Sequence, residues 1–390
     1  MAFFSPSQNY LGIDFDSNSV KVVELKNEGG RPQLVTYGYI DQEMDKASGK
    51  KDDGDDSQTA QLIKHVCRQA KITTTKAVTS LPAFSVFSSI LNLPTMSKKD
   101  LASAVKWEAK KVIPMPLEEM ILDWKVVEEI SADGTTKSVA PVAGDGEAKA
   151  KDKENGDDNA EEYQKKGFLK ISPRAKKKYT KILLTAAPKD LVKRYISIFK
   201  TTGLNLLSLD TESFALIRSL VGNDKSSVMI VDIGSVVTNI SVVVNSIPIL
   251  NRSIDVGGLS ITKAIAASLN VNLARAEQFK YDIGMSQQRR GQGSVPKTIE
   301  TTLTPIVDEL RYSLNLYKNQ GQASIEKIII TGGSSLLLNL PEYLTGLLDL
   351  RVFLGDPWAR VIYPEELKPV LDEVGSRFSV AIGLAMRDIG

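Results

Sequence analysis

The chain has 390 residues, 42% of them apolar, with Lys+Arg 49 against Asp+Glu 47. That is enough for two or more lobes with sizeable cores at roughly 100–200 residues each. The near-neutral balance gives no whole-molecule attraction to nucleic acid or anionic lipid, so no nucleic acid is expected as a partner. One cysteine, Cys67, excludes an internal disulfide framework and leaves zinc or iron–sulfur sites without their usual thiolates, and one histidine, His65, removes most Ser-His, Cys-His and multi-His constellations. Any metal must use oxygen ligands. The start "MAFFSPSQNY" lacks a basic region followed by an apolar stretch, and no run approaches the roughly 18 apolar residues of a membrane span. The expected compartment is the cytoplasm.

The first elements are strands, "NYLGIDF" (9–15), "SVKVVEL" (19–25) and "QLVTYGYI" (33–40), apolar runs bounded by turn residues. Asp14, Asp16, Ser17, Asn18 and Ser19 surround the first turn, where short polar side chains bond their own backbone. Residues 41–57 hold one large apolar side chain and are expected to be a flexible insertion. A helix over 59–72 follows, with Leu62, Ile63, Val66, Cys67 and Ala70 at helical spacing; Cys67 is expected to pack, and neither it nor His65 to react. After the strand "KAVTSLP" (76–82), Ser97 is placed to cap a helix with Asp100 at its third position. Leu101, Ala104, Val105 and Val112 line one face, and Pro114 and Pro116 stop it. Trp107 and Trp124 serve either groove contacts or packing of this small region, with packing favoured. Residues 131–166 have almost no large apolar side chain and continue into a stretch, 165–181, with eight Lys/Arg and no acid. We expect a flexible insertion over 131–178, its basic part either a solvated loop or a patch touching lipid or nucleic acid. Strand "KILLTAAP" (181–188) and helix "KDLVKRYISIFKTTG" (189–203) complete the first half.

Residues 227–255 repeat the plan of residues 9–40: a strand ending in Asp, a small polar turn, a second strand, another turn and a third strand. Asp14 corresponds to Asp232, and two such units roughly 220 residues apart look like a duplicated domain. A third turn follows the strand "KIIITGG" (327–333), where Gly332, Gly333 and Ser334 lead into an expected helix. Glycine lets a ligand approach the backbone there.

These residues resemble the actin-like ATPase superfamily. The resemblance implies an α/β fold with a duplicated two-lobed architecture, in which two hairpin turns face each other across a cleft and hold nucleotide phosphates. By that resemblance the cofactors are ATP and Mg2+. Asp14 and Asp232 would offset the metal through water, and Ser17, Asn18, Ser19, Lys21, Gly234, Ser235 and Thr238 would take phosphate oxygens. Gly258, Glu277, Lys280, Gly332, Gly333 and Ser334 would surround the nucleoside. Glu277 and Lys280 equally fit an exposed helix ion pair. Glu212 stands where relatives carry a glutamate that orients the attacking water, or it simply starts a helix. The sequence departs from its relatives at Asp16, where many carry glycine, and at Val236 and Val237, where chaperone relatives do.

Within the superfamily, residues 79–127, with "LP", the capped helix, "IP" and "PLEE", resemble the small subdomain of the PilM family of type IV pilus assembly proteins. That resemblance implies a first lobe over 8–225 with an inserted subdomain over about 80–182, a second lobe over 226–374, and a helix over 375–390 returning to the first lobe. It implies an ATP-binding adaptor, at most a slow ATPase, peripheral at the inner membrane. Its expected partner is the cytoplasmic N-terminal peptide of PilN, with other pilus components and self-association as further options. The alternatives are an FtsA-like filament protein and a weak ATPase or phosphotransferase of the same superfamily.

Overall fold

A computed structural model of the chain describes residues 8–16, 19–41, 56–130, 136–138, 179–286, 294–319 and 324–389. In chain order, the first half contains β1 (Asn9–Phe15), β2 (Ser19–Glu28), β3 (Arg31–Asp41), α1 (Asp56–Gln69), β4 (Lys76–Leu81), β5 (Phe87–Pro94), α2 (Lys98–Val112), β6 (Met120–Ile130), β7 (Thr136–Ser138), β8 (Tyr179–Pro188), α3 (Lys189–Thr202), β9 (Asn205–Thr211) and α4 (Glu212–Leu216). The second half contains β10 (Val228–Ile233), β11 (Thr238–Val244), β12 (Ile247–Ile254), α5 (Gly258–Leu269), α6 (Leu273–Ile283), α7 (Ser294–Asn319), β13 (Lys327–Thr331), α8 (Leu340–Leu348), β14 (Val352–Leu354), α9 (Lys368–Val374) and α10 (Ser379–Ala385). The chain divides into two compact units, residues 1–88 with 187–390, and residues 89–186.

The larger unit holds two five-stranded sheets of one design, β3-β2-β1-β4-β9 and β12-β11-β10-β13-β14. In each, the central strand pairs antiparallel with the strand that follows it (β1 with β2, β10 with β11) and parallel with the strand three further on (β4, β13). The repeat read in the sequence is therefore a repeat of topology. Asp14 and Asp232 are both the penultimate residues of their central strands. Central strands are covered on both faces, which explains their unbroken apolar runs. Helices dock through one stripe each: Ala60, Ile63 and Val66 of α1, and Tyr195, Ile198 and Phe199 of α3. Each large side chain fully buried this way contributes about 1.5–3 kcal/mol.

Helix α10 is buried along its whole length, because both of its neighbours reach its backbone. A Cβ added to Gly12 of β1 would fall 1.9 Å from the Ala381 carbonyl oxygen, and one added to Gly383 would fall 1.9 Å from that of Ala215 in α4. Small residues at these positions let backbone pack on backbone.

The smaller unit is a four-stranded sheet, β5-β8-β6-β7, with helix α2. Ser97 caps α2 as the sequence indicates, its hydroxyl oxygen accepting from the Asp100 N–H at 3.3 Å. The buried stripe is Leu101, Val105 and Ala109. Val112 is exposed instead, because the helix ends there. Trp107 does not pack either: it is 63% exposed, with the Lys111 ammonium 3.8 Å above its ring.

Two expected loops are shorter than the sequence suggested. Asp41 ends β3, residues 56 and 57 open α1, and Thr136–Ser138 pair with β6 through backbone hydrogen bonds that need no apolar side chain. The remainder of both segments, including basic residues 165–178, lies outside the described residues. Cys67 is partly buried and its thiol is pushed up to about 11, by burial first and by the Glu24 carboxylate second, which leaves it unreactive as expected.

Candidate functional site

At the end of β1, Asp14 stands opposite Lys21 of β2. The Lys21 ammonium donates to Asp14 Oδ2 at 3.1 Å and lies 3.6 Å from Asp16 Oδ2. Burial alone would lower the Lys21 pKa, but Asp14 and Asp16 outweigh it and the net shift is upward. The lysine is thus held charged among carboxylates. Ser19 donates its backbone N–H to Asp16 Oδ1 at 2.8 Å and its hydroxyl to Asp16 Oδ2 at 3.0 Å. Ser17 and Asn18 lie outside the described residues.

The second hairpin brings Asp232 into the same neighbourhood. Its carboxyl is pushed up to about 7, by burial and then by the Asp14 charge, with Lys21 opposing. Two strand-end carboxylates from equivalent strands thus feel one another and one lysine. Glu212, the first residue of α4, belongs to this cluster: its carboxyl rises to about 8 through burial and the charges of Asp14 and Asp232. Its Oε2 accepts from the Ala83 N–H at 2.9 Å and from Asn239 Nδ2 at 3.0 Å. Asn239, which pairs with Asp232 in the ladder, was not singled out in the sequence, since an isolated Asn in a strand carries no signal.

Several donors expected to face phosphate are already engaged. The Gly234 N–H closes the turn onto the Val237 carbonyl at 3.0 Å, and the Gly234 and Ser235 carbonyls accept the first N–H groups of α5, from Gly258 and Leu259. Thr238 is buried and donates its hydroxyl to the Val256 carbonyl at 2.6 Å. Ser235 is exposed at the turn.

Gly258, Glu277, Lys280 and Ser334 do converge. Lys280 is 2% exposed and donates to both Glu277 carboxylate oxygens at 2.7 and 2.8 Å, to Thr262 Oγ1 at 3.0 Å and to the Gly258 carbonyl at 3.3 Å. This is a buried network rather than an exposed helix pair, and burial draws the Lys280 pKa down. A Cβ on Gly258 would meet Ser334 Oγ at 2.1 Å, and one on Gly332 would meet Asp232 Oδ1 at 2.4 Å. The third turn therefore abuts both the network and the carboxylates. After it comes a 3-10 turn, residues 333–336, rather than the expected helix start. Tyr281 donates to the Gly333 carbonyl at 3.3 Å, and Arg377, ion-paired with Asp41, lies over the Tyr39 ring beside that glycine. Nothing local in "SRF" marks Arg377, which acts across most of the sequence.

The donor set suits a magnesium ion held through its water shell. Asp232 accepts no hydrogen bond from a described side chain, and among the described residues no group of three His, Cys, Asp or Glu could hold a metal directly. The cluster also sets a pH dependence. An acid with a higher pKa folded than unfolded binds its proton more tightly in the native state. The stability this gives is present at low pH and is lost as the pH climbs toward the raised values of Asp232 and Glu212. The ligand-free protein is thus expected to melt at a falling temperature between about pH 5 and pH 8, with Asp232→Asn flattening the slope. A melting temperature that rises through this window contradicts the arrangement.

A family model described as "Type IV pilus assembly protein PilM" matches residues 12–154 and 166–389. The chain belongs to the PilM family. A chain of a "PilM-PilN type IV pilus biogenesis complex" superposes with a TM-score of 0.73 at 24% identity, covering 98% of each chain. The ethanolamine utilization protein EutJ from Carboxydothermus hydrogenoformans gives 0.51 at 14% identity, covering 98% of this chain and 91% of that one. MreB5 of Spiroplasma citri bound to AMPPNP gives 0.49 at 12%, covering 96% and 94%. The fold of this PilM-family chain is actin-like, as the residues at its duplicated hairpins imply. Among its described residues no helix is long and apolar enough to cross a membrane.

Proposed function

We propose that the protein is an ATP-binding adaptor of type IV pilus assembly, cytoplasmic and held at the inner membrane through the N-terminal peptide of PilN. Family membership supports the pilus role, and likeness to a chain of the PilM–PilN complex supports the partner. The nucleotide half of the reading rests on one arrangement: Asp14 and Asp232 are penultimate on equivalent strands, Asp14 is paired with Lys21, and Asp232 stands near enough to feel both charges. Bound magnesium would supply positive charge against the phosphates. Asp14 and Asp232 would hold it through water, and Lys21 would face a phosphate oxygen. The network of Gly258, Glu277 and Lys280, with Gly332, Gly333 and Ser334, would take the nucleoside. Glu212 is the candidate to orient water, its carboxyl pushed up to about 8 in the free protein by burial and then by the charges of Asp14 and Asp232, and hydrolysis is slow at most.

The test is calorimetric titration of the PilN N-terminal peptide with and without Mg-ATP. If nucleotide and peptide favour the same state, each tightens the other by the same factor, about 5–150-fold where coupling exists. Equal affinities would make the nucleotide a ligand that only stabilises the fold. Absence of peptide binding would end the adaptor reading, and an ATP-dependent sedimenting polymer would replace it with the filament reading.

A further inference from the structure

We infer that Asp16 is a built-in competitor for the phosphate site: its carboxylate occupies the donors that a nucleotide would use and must withdraw before one can load. The inference rests on the nucleotide reading above. Asp16 takes the Ser19 N–H at 2.8 Å and the Ser19 hydroxyl at 3.0 Å, and lies 3.6 Å from the Lys21 ammonium. Backbone N–H, hydroxyl and ammonium at a hairpin end are the donors from which anion sites are built, and a carboxylate satisfies them as a phosphate does.

The second hairpin serves as an internal control. Asp16 lies two residues beyond Asp14, and Gly234 lies two beyond Asp232. Both close the same turn, the Asp16 N–H on the Ser19 carbonyl and the Gly234 N–H on the Val237 carbonyl, each at 3.0 Å. Glycine suffices for that turn at 234, so the backbone does not require the carboxylate at 16. Nor does the core, since the Asp16 side chain is 47% exposed against 13% for Asp14. At that exposure the side chain has solvent into which it can swing away from Ser19 and Lys21. While it stays, an arriving phosphate meets Asp14, Asp16 and Asp232 against one lysine, so Asp16 also deepens the need for magnesium.

The experiment titrates full-length protein with Mg-ATP and with metal-free ATP by calorimetry. Asp16→Gly is expected to tighten Mg-ATP about tenfold, the worth of one charge-assisted hydrogen bond, and metal-free ATP by more. In the Asp16→Gly background, Ser19→Ala should remove the hydroxyl's share of that gain and leave the share of the backbone N–H, which alanine keeps. Asp16→Asn keeps the turn's hydrogen bonding without the charge and should gain less than Asp16→Gly. It also guards against a glycine variant that fails to fold, since no gain for the asparagine variant overturns the inference. Unchanged or weaker binding by a folded Asp16→Gly overturns it as well while leaving the nucleotide reading intact. If neither wild type nor variant binds nucleotide, the nucleotide reading itself falls and takes this inference with it.

Discussion

Gly12→Ala is expected to cost the protein most or all of its stability. The new Cβ would lie 1.9 Å from the Ala381 carbonyl oxygen and 2.7 Å from the Ala385 nitrogen, and both are backbone atoms of the fully buried α10. Overpacking against side chains usually costs about 1–3 kcal/mol because rotamers can shift. Here nothing can rotate. Strand β1 is held between β2 and β4, and α10 also presses on α4 through Gly383. We expect a loss above about 4 kcal/mol, beyond the range of ordinary single substitutions and close to the whole stability of many domains. The comparison is Gly346→Ala in α8, where nothing lies within 4 Å of the added Cβ and the change should be neutral or stabilising by about 0.4–1 kcal/mol. Urea denaturation of both variants reads the difference. A wild-type midpoint for Gly12→Ala would show that α10 does not sit against β1 as described.

The second large effect concerns ligand rather than fold. Asp232→Ala should weaken Mg-ATP by about 10–100-fold, the range for groups that hold a metal's outer shell, while metal-free ATP binds as well as before or better. The sign for the metal-free form follows from the charges. Burial first, and then the Asp14 charge, raise the Asp232 pKa, and removing Asp232 leaves Asp14 and Asp16 beside Lys21 with one carboxylate fewer. Phosphates arriving without magnesium then meet less negative charge. Parallel titrations with and without the metal separate the cases. Equal loss for both forms would mean that Asp232 shapes the pocket and has no part in the metal's shell.

The strands and the duplication were legible because period and turn chemistry are local properties of the chain. The "NYLGIDF" run is strand β1 residue for residue, and Asp14 and Asp232 stand at equivalent ladder positions. The Ser97 cap was legible for the same reason. What the sequence hid is how donors are shared. Thr238 and the Gly234 N–H look available for phosphate until the fold pairs them with Val256 and Val237. Lys280 reads as a surface helix lysine until α5 and the third turn close over it. Arg377 and Asn239 matter only through partners supplied by other elements. The exposure of Trp107 was misjudged because large aromatic side chains are usually worth more inside, and here the helix turns its buried stripe the other way.

The placement of α10 bears on how the molecule comes to exist. Strand β1 is made long before the helix that covers Gly12, α10. Contacts this distant in sequence must wait for the chain between them, and they slow folding by the entropy of closing so long a loop. Until then the first sheet has an uncovered apolar face. Strand β1 and α10 therefore become native together, and that face stays exposed until the chain between them has been made.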